Sequence, residues 1–179
     1  EDNKAGVYRF PSVSFPSDPK YPLGIPRFPA RFWRILREFD PEIVHTHSLF
    51  GMGRAARKAV RSFNIPLVLT YHTLLEDYCH YIPLPRQFAR YMARRISREF
   101  ANAADAIIAP GPAARERLLA YGVTTPIEVI PTGADVLVFP DVESDDFRSR
   151  LGIPGEAKLI AFSGRMAKEK NLELLLDAL

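Results

Sequence analysis

Apolar and polar positions along the chain switch repeatedly between two periods, and that switching predicts the architecture. Residues 31–39 (RFWRILREF) place Phe32, Ile35, Leu36 and Phe39 on one side at helical spacing. Residues 42–46 (EIVHT) read as a short buried strand. Residues 50–63 return to a helix, with small residues at Gly51, Gly53, Ala55 and Ala56. Strand 67–71 (LVLTY), helix 86–101, strand 106–109 (AIIA), helix 112–121 and strand 127–130 (IEVI) follow. Pro112 suits a first helical turn, where its missing N–H has no partner to lose. Residues 73–84 read as a loop ending at Pro83 and Pro85. Six prolines within 11–29 predict a loop there and no regular element, because proline fixes φ and removes a backbone donor.

Strands alternating with helices imply βαβ units and a parallel sheet, hence an α/β fold. Such sheets take ligands beyond the carboxyl ends of their strands. That rule singles out His47, His72, Pro110-Gly111 and Pro131-Thr132-Gly133, each just after a strand. Residues 132–155 are rich in Asp, Gly and Pro, with a short helix at 146–151, and read as a boundary. A second βα unit then opens with strand 158–162 (KLIAF), loop 163–170 (SGRMAKEK) and a helix from Asn171. The expected organisation is a first domain over 1–135, a linker over 136–155 and the start of a second domain over 156–179.

Composition narrows the class. No apolar stretch approaches the roughly 18–20 residues of a spanning helix. Residues 1–10 lack the basic start and apolar run of a signal peptide. Both ends read as interior sequence of a longer protein. The single cysteine, Cys79, has no partner for a disulfide, which fits a reducing cytoplasm, and a buried thiol accounts for it better than a nucleophile does. Residues 1–100 carry 16 Lys/Arg against 9 Asp/Glu, whereas residues 101–179 carry 8 against 12. The basic first half favours an anionic partner.

The densest candidate chemistry lies in residues 162–171 (FSGRMAKEKN), between a predicted strand and a predicted helix. Gly164 permits a sharp turn. Arg165 and Lys170 bring two cations to a helix start, whose free N–H groups and positive dipole end already favour anions. This arrangement suits a diphosphate, although a solvated basic turn has the same composition.

G-R-x-x-x-x-K-N after a strand resembles the donor-diphosphate loop of the retaining glycosyltransferases of family four. Three further segments are similar to that family in the same order: Asp40-Pro41-Glu42-Ile43-Val44-His45-Thr46-His47, then Tyr71-His72-Thr73, then Val129-Ile130-Pro131-Thr132-Gly133-Ala134-Asp135. The resemblance spans about residues 40–179 and implies a GT-B fold, two Rossmann-like domains facing a cleft. It implies that Arg165 and Lys170 hold the donor diphosphate, with Gly164 in the turn. Gly133 then lies where the backbone nears the donor, and His72 against the donor sugar. Cations preorganised at a leaving diphosphate stabilise the transition state most, because charge accumulates there as the bond breaks. His45 reads as a hydrogen-bonded core histidine, and His47 as either an acceptor contact or a structural residue. The resemblance implies a nucleotide sugar as co-substrate, and no catalytic metal or cofactor. Gly111 departs from the family's usual serine, and the family's spaced pair of glutamates has no counterpart within these residues.

Residues 73–83 (TLLEDYCHYIP) and the proline-rich segment are similar to the diacylglycerol glucosyltransferases within that family. The likeness implies UDP-glucose as donor, a membrane lipid as acceptor, and Glu76, Asp77, Tyr78, His80 and Tyr81 beside the acceptor. Helix 86–100 independently carries Arg86, Arg90, Arg94, Arg95 and Arg98 among Phe88, Tyr91, Met92 and Ile96. A basic, aromatic-laced helix suits an anionic bilayer, each cation contributing roughly 1 kcal/mol. An ordinary surface helix packing its apolar side on the sheet fits as well. No nucleic-acid module accompanies the basic residues. The expectation is a peripheral, cytoplasmic enzyme at the inner face of the membrane. A soluble or polyprenyl-linked acceptor, or a non-catalytic Rossmann-like module, are the alternatives.

Overall fold

A computed structural model describes residues 6–15, 18–24, 29–133, 144–164, 166 and 170–179. Its contacts divide the chain into two units, Glu1–Pro131 and Thr132–Leu179.

The first unit is built on a four-stranded, all-parallel sheet. Its strands are β3 (Val44–Thr46), β4 (Leu67–Thr70), β5 (Ala106–Ala109) and β6 (Ile127–Val129), in that spatial order. Each step between neighbours runs through a helix: α2 (Gly51–Phe63), α3 (Arg86–Ala101) and α4 (Pro112–Ala120). The register pairs His45 with Val68 and Thr46 with Leu69, then Leu69 with Ile107 and Ile108 with Glu128. The central strands read as near-continuous apolar runs because both of their faces are covered. Leu67, Leu69 and Ile107 are fully buried and share one core with Val60 of α2, Phe100 and Ala101 of α3, and Leu118 of α4. Side chains close the seams: the Asp105 carboxylate accepts from the Leu67 amide at 2.7 Å, and Asn102 Oδ1 accepts from the Thr124 amide at 2.8 Å.

Helix α1 (Pro29–Phe39) precedes the sheet. Before it, the proline-rich segment departs from expectation. It forms an antiparallel ribbon of β1 (Ser12–Phe15) and β2 (Asp18–Gly24). A two-stranded ribbon has an open edge on each strand, where a residue without an N–H loses no ladder bond, so prolines are tolerated. Residues 73–84 also differ from a plain loop, because Leu75–Tyr81 forms a 3-10 helix held against α3.

Gly53 shows why α2 begins with small residues. A Cβ added there would overlap the carbonyl oxygen of Ser48 and stand 3.2 Å from the Phe100 ring. The obstacle is backbone, which cannot swing aside as a side chain can. Gly53→Ala is therefore expected to lower unfolding free energy by about 1–3 kcal/mol, the usual range for overpacking. Denaturant melts of the full-length protein check this, and an unchanged midpoint would refute the close approach.

The second unit contains α5 (Ser144–Arg150) and α6 (Leu172–Asp177). Arg148 Nη1 donates to the carbonyls of Pro154, Gly155 and Ala157 at 3.1–3.2 Å, folding the following turn back on the helix. Residues 158–162, expected as a strand, form none, and Leu159, Ile160 and Phe162 are exposed. The described residues of this unit offer no second strand, and an apolar run without a ladder partner has nothing to pair its amides with.

Candidate functional site

Because all four strands run parallel, the residues after them gather at one edge of the sheet. His47 follows β3, His72 lies two residues past β4, and Pro110 follows β5. The parallel register would set residue 47 beside residue 70, and side chains of residues 45 and 47, like those of 70 and 72, point to one face. The result is a ladder of offset pairs. His45 Nε2 hydrogen bonds with Thr70 Oγ1 at 2.7 Å, and His47 Nδ1 with His72 Nε2 at 2.8 Å. The rings stack as well: His45 to His47 at 4.3 Å between centroids, His47 to His72 at 5.1 Å. His45 has its hydrogen bond as expected but is exposed rather than in the core, since β3 ends the strand order. Its pKa lies below the ordinary value, first through partial burial of the ring and then through the imidazoles of His47 and His72. Among the described residues, no group of three or more His, Cys, Asp or Glu is arranged to hold a metal ion.

His72 is exposed, but the chain on both sides of it is tied down. On one side, Tyr71 is buried and its hydroxyl meets Ser97 Oγ of α3 at 2.7 Å. Ser97 gives its own proton to the Ala93 carbonyl at 2.8 Å, so Tyr71 is the donor in the first bond. On the other side, Glu76 is 5% exposed and surrounded by cations. Arg90 Nε donates to it at 2.7 Å, Arg94 donates twice at 2.7 and 3.0 Å, and the Tyr121 hydroxyl donates at 2.8 Å. Arg117 of α4 stands 3.6 Å away. Hydrogen bonds from Arg94 lead the forces that push the Glu76 pKa down to about 2, overcoming the opposing effect of burial. Burial and the bond to Glu76 push the Tyr121 pKa up.

This geometry corrects the expected acceptor-side placement of Glu76. Its carboxylate is consumed by internal partners and ties the 3-10 helix to α3 and α4. Cys79 is likewise internal: it is buried, donates to the Leu75 carbonyl at 3.6 Å, and burial raises its pKa, which disfavours the thiolate. Of the other residues expected beside the acceptor, Asp77, His80 and Tyr81 are exposed and Tyr78 is half-buried. Asp77 is exposed with Arg117 3.7 Å away, Tyr78 stacks on Tyr81 at 6.2 Å, and His80 lies 4.1 Å from the Tyr81 ring.

Helix α3 packs through a stripe the apolar pattern did not single out: Ala89, Ala93, Ser97, Phe100 and Ala101 are buried. Phe88 and Tyr91, which an ordinary surface helix would turn inward, are 51% and 56% exposed. Of the five arginines, Arg90 and Arg94 serve Glu76, and Arg95 pairs with Glu99 at 2.7 Å. Among the described residues, Arg86 and Arg98 have no carboxylate partner. Ser97, Tyr121 and Arg117 were missed in the sequence; the only signal was a serine at i+4 from a buried alanine.

In the second unit, Gly164 has φ +155°, and a Cβ there would press on the Phe162 ring at 3.1 Å, so glycine is required. Lys170 is exposed beside Asn171, the residue that caps α6 in the left-handed conformation. Arg165 lies outside the described residues, and so does any convergence of the two cations. Gly133 is exposed with open space where a side chain would stand.

The profile of the family described as Glycosyltransferase Family 4 matches residues 1–136. The alpha-monoglucosyldiacylglycerol synthase of Streptococcus pneumoniae is 31% identical over 93% of this chain and 40% of its own length. A GDP-mannose-dependent alpha-mannosyltransferase of Mycobacterium tuberculosis is 32% identical over 94% of this chain and 43% of its own length. The chain thus spans about two fifths of the curated relatives it matches. Among solved structures, a sucrose-phosphate synthase from Thermosynechococcus elongatus superposes with a TM-score of 0.66 at 22% identity, covering 86% of this chain and 38% of its own. That likeness shows the fold, the Rossmann-like sheet of a GT-B enzyme.

Proposed function

From the premise that this chain belongs to glycosyltransferase family 4, a family of enzymes, we propose that the protein moves a sugar from a nucleotide-diphosphate sugar to a membrane lipid hydroxyl, with retention of configuration. The observation that carries this reading is the paired His47 and His72 at the carboxyl edge of the parallel sheet, where such folds take ligands. In the proposed reaction the bond between the anomeric carbon and the diphosphate oxygen breaks. A bond from that carbon to the acceptor oxygen forms on the same face. The acceptor proton passes to a phosphate oxygen of the leaving nucleoside diphosphate. The chain's part is positioning and electrostatics: His72 against the donor sugar, Arg165 and Lys170 on the diphosphate, with Gly133 and Gly164 allowing close backbone approach.

A glucosyl donor and a diacylglycerol acceptor find support in the streptococcal relative's name. A lipid surface finds support in the ridge at the start of α3. Tyr81, Ile82, Leu84, Phe88 and Tyr91 are each 42–56% exposed, beside Arg86 and the half-exposed Arg90 and Arg94. Exposed apolar groups flanked by cations fit the interface of an anionic bilayer. Among the described residues, no helix is long and apolar enough to cross a membrane. The mannosyltransferase at 32% identity favours a second reading, mannose transfer from GDP-mannose.

Both readings meet in one assay. The full-length protein is incubated with labelled UDP-glucose or GDP-mannose and with diacylglycerol in anionic vesicles or soluble sugars. Glucosylated lipid, with the α-anomer seen by NMR, is the expected product. Label from GDP-mannose alone supports the second reading. Failure to bind vesicles, with full activity on a soluble sugar, removes the lipid acceptor.

A further inference from the structure

We propose that His47 is a positioning residue for His72: its hydrogen bond fixes the ring orientation of the histidine that meets the donor sugar and couples the tautomers of the two rings. The inference rests on the reading of His72 given above and adds a role for its neighbour. Three observations carry it. First, Nδ1 of His47 and Nε2 of His72 stand 2.8 Å apart, and an imidazole–imidazole bond uses one N–H and one lone pair. The bond therefore commits Nε2 of His72 and leaves Nδ1, which has no partner among the described residues, as the nitrogen open to a ligand. Second, His47 is itself held from behind. Its ring lies 4.3 Å from that of His45, and His45 is bonded to the buried Thr70 at 2.7 Å. An exposed imidazole with neighbours on both sides loses little further freedom on binding, which is the condition for preorganisation. Third, His47 directly follows β3 and His72 lies two residues past the adjacent parallel strand β4, so the placement of the pair is set by the ends of two registered strands.

His47 was open to two readings in the sequence, acceptor contact or structure. Its Nδ1 is the nitrogen bonded to His72. A hydrogen bond to one ring nitrogen of a histidine orients the ring and ties the protonation of its other nitrogen to that of the partner.

The test uses the full-length enzyme and three substitutions. His47→Leu removes the bond but keeps a side chain of similar bulk. His47→Asn keeps an amide group close to where Nδ1 stands. His72→Ala is the reference. The expected result for His47→Leu is a kcat lower by about 10- to 100-fold, the scale on which small misplacements act. KM for the donor and the melting temperature should change little, because His47 is exposed. His47→Asn should recover most of the loss. In the His72→Ala background, His47→Leu should cost nothing further, since the residue through which it acts is gone. Wild-type kcat in His47→Leu, or equal losses for Leu and Asn, overturns the positioning role while leaving the glycosyl-transfer reading intact. Full activity in His72→Ala overturns both.

Discussion

Glu76→Gln is expected to lower the unfolding free energy of the first unit by about 3 kcal/mol, near the lower end for removing one partner of a buried charge pair. The lower end applies because Arg90, Arg94 and Arg117 have side chains 40–54% exposed and can return to water, whereas the carboxylate cannot. Glutamine keeps the volume and one acceptor oxygen. Each carboxylate oxygen accepts two of the four hydrogen bonds, so an amide nitrogen in place of Oε1 would face the donors of Arg90 and Arg94 and two bonds are lost. The pKa shift gives a similar magnitude: a carboxyl pushed down to about 2 from 4.5 corresponds to about 3 kcal/mol. It also gives a sign. A carboxyl whose folded pKa is depressed stabilises the protein above its unfolded pKa, and that contribution fades as pH falls from 4.5 towards about 2. Melting temperatures of wild type and variant should therefore differ most near neutrality and converge in acid. Parallel curves across that window would show that the carboxylate is not held as described.

The second large effect is on rate. His72→Ala in the full-length enzyme is expected to lower kcat by about 10²–10³-fold, the loss seen when one preorganised group at a developing charge is removed. The fold should tolerate the change. His72 is exposed, and the chain around it is anchored by Tyr71 on Ser97 and by Glu76 on α3 and α4. A fall in kcat without a fall in melting temperature places the loss in the reaction; an unaltered kcat would remove His72 from the site. The contrast with Glu76→Gln is informative, because the proposed role of His72 is on bound substrate, whereas Glu76 acts through the structure that carries it.

The two tests separate features that lie four residues apart in the same stretch, Tyr71-His72-Thr73-Leu74-Leu75-Glu76. Read as a string, both His72 and Glu76 look like polar groups of one loop after a strand. The fold divides them. His72 leaves the sheet edge towards solvent, and Glu76 turns inward, where three arginines of α3 and α4 and Tyr121, just past α4, meet it.

The alternation of apolar periods was enough to determine the parallel α/β sheet, the order of its helices and the edge at which His47 and His72 emerge. Those follow from local rules: a period of two or of 3.6, helix-breaking prolines, and connections long enough only for crossovers. What the tertiary structure decided is which polar groups are spent internally. Glu76 with Arg90, Arg94 and Tyr121, Tyr71 with Ser97, and His45 with Thr70 are 14 to 45 residues apart. A polar side chain carries no mark of its partner until packing brings one within 3 Å. The same holds for the ribbon of residues 12–15 and 18–24 and for the absence of a strand at 158–162, because a strand exists only where another chain segment supplies its hydrogen bonds.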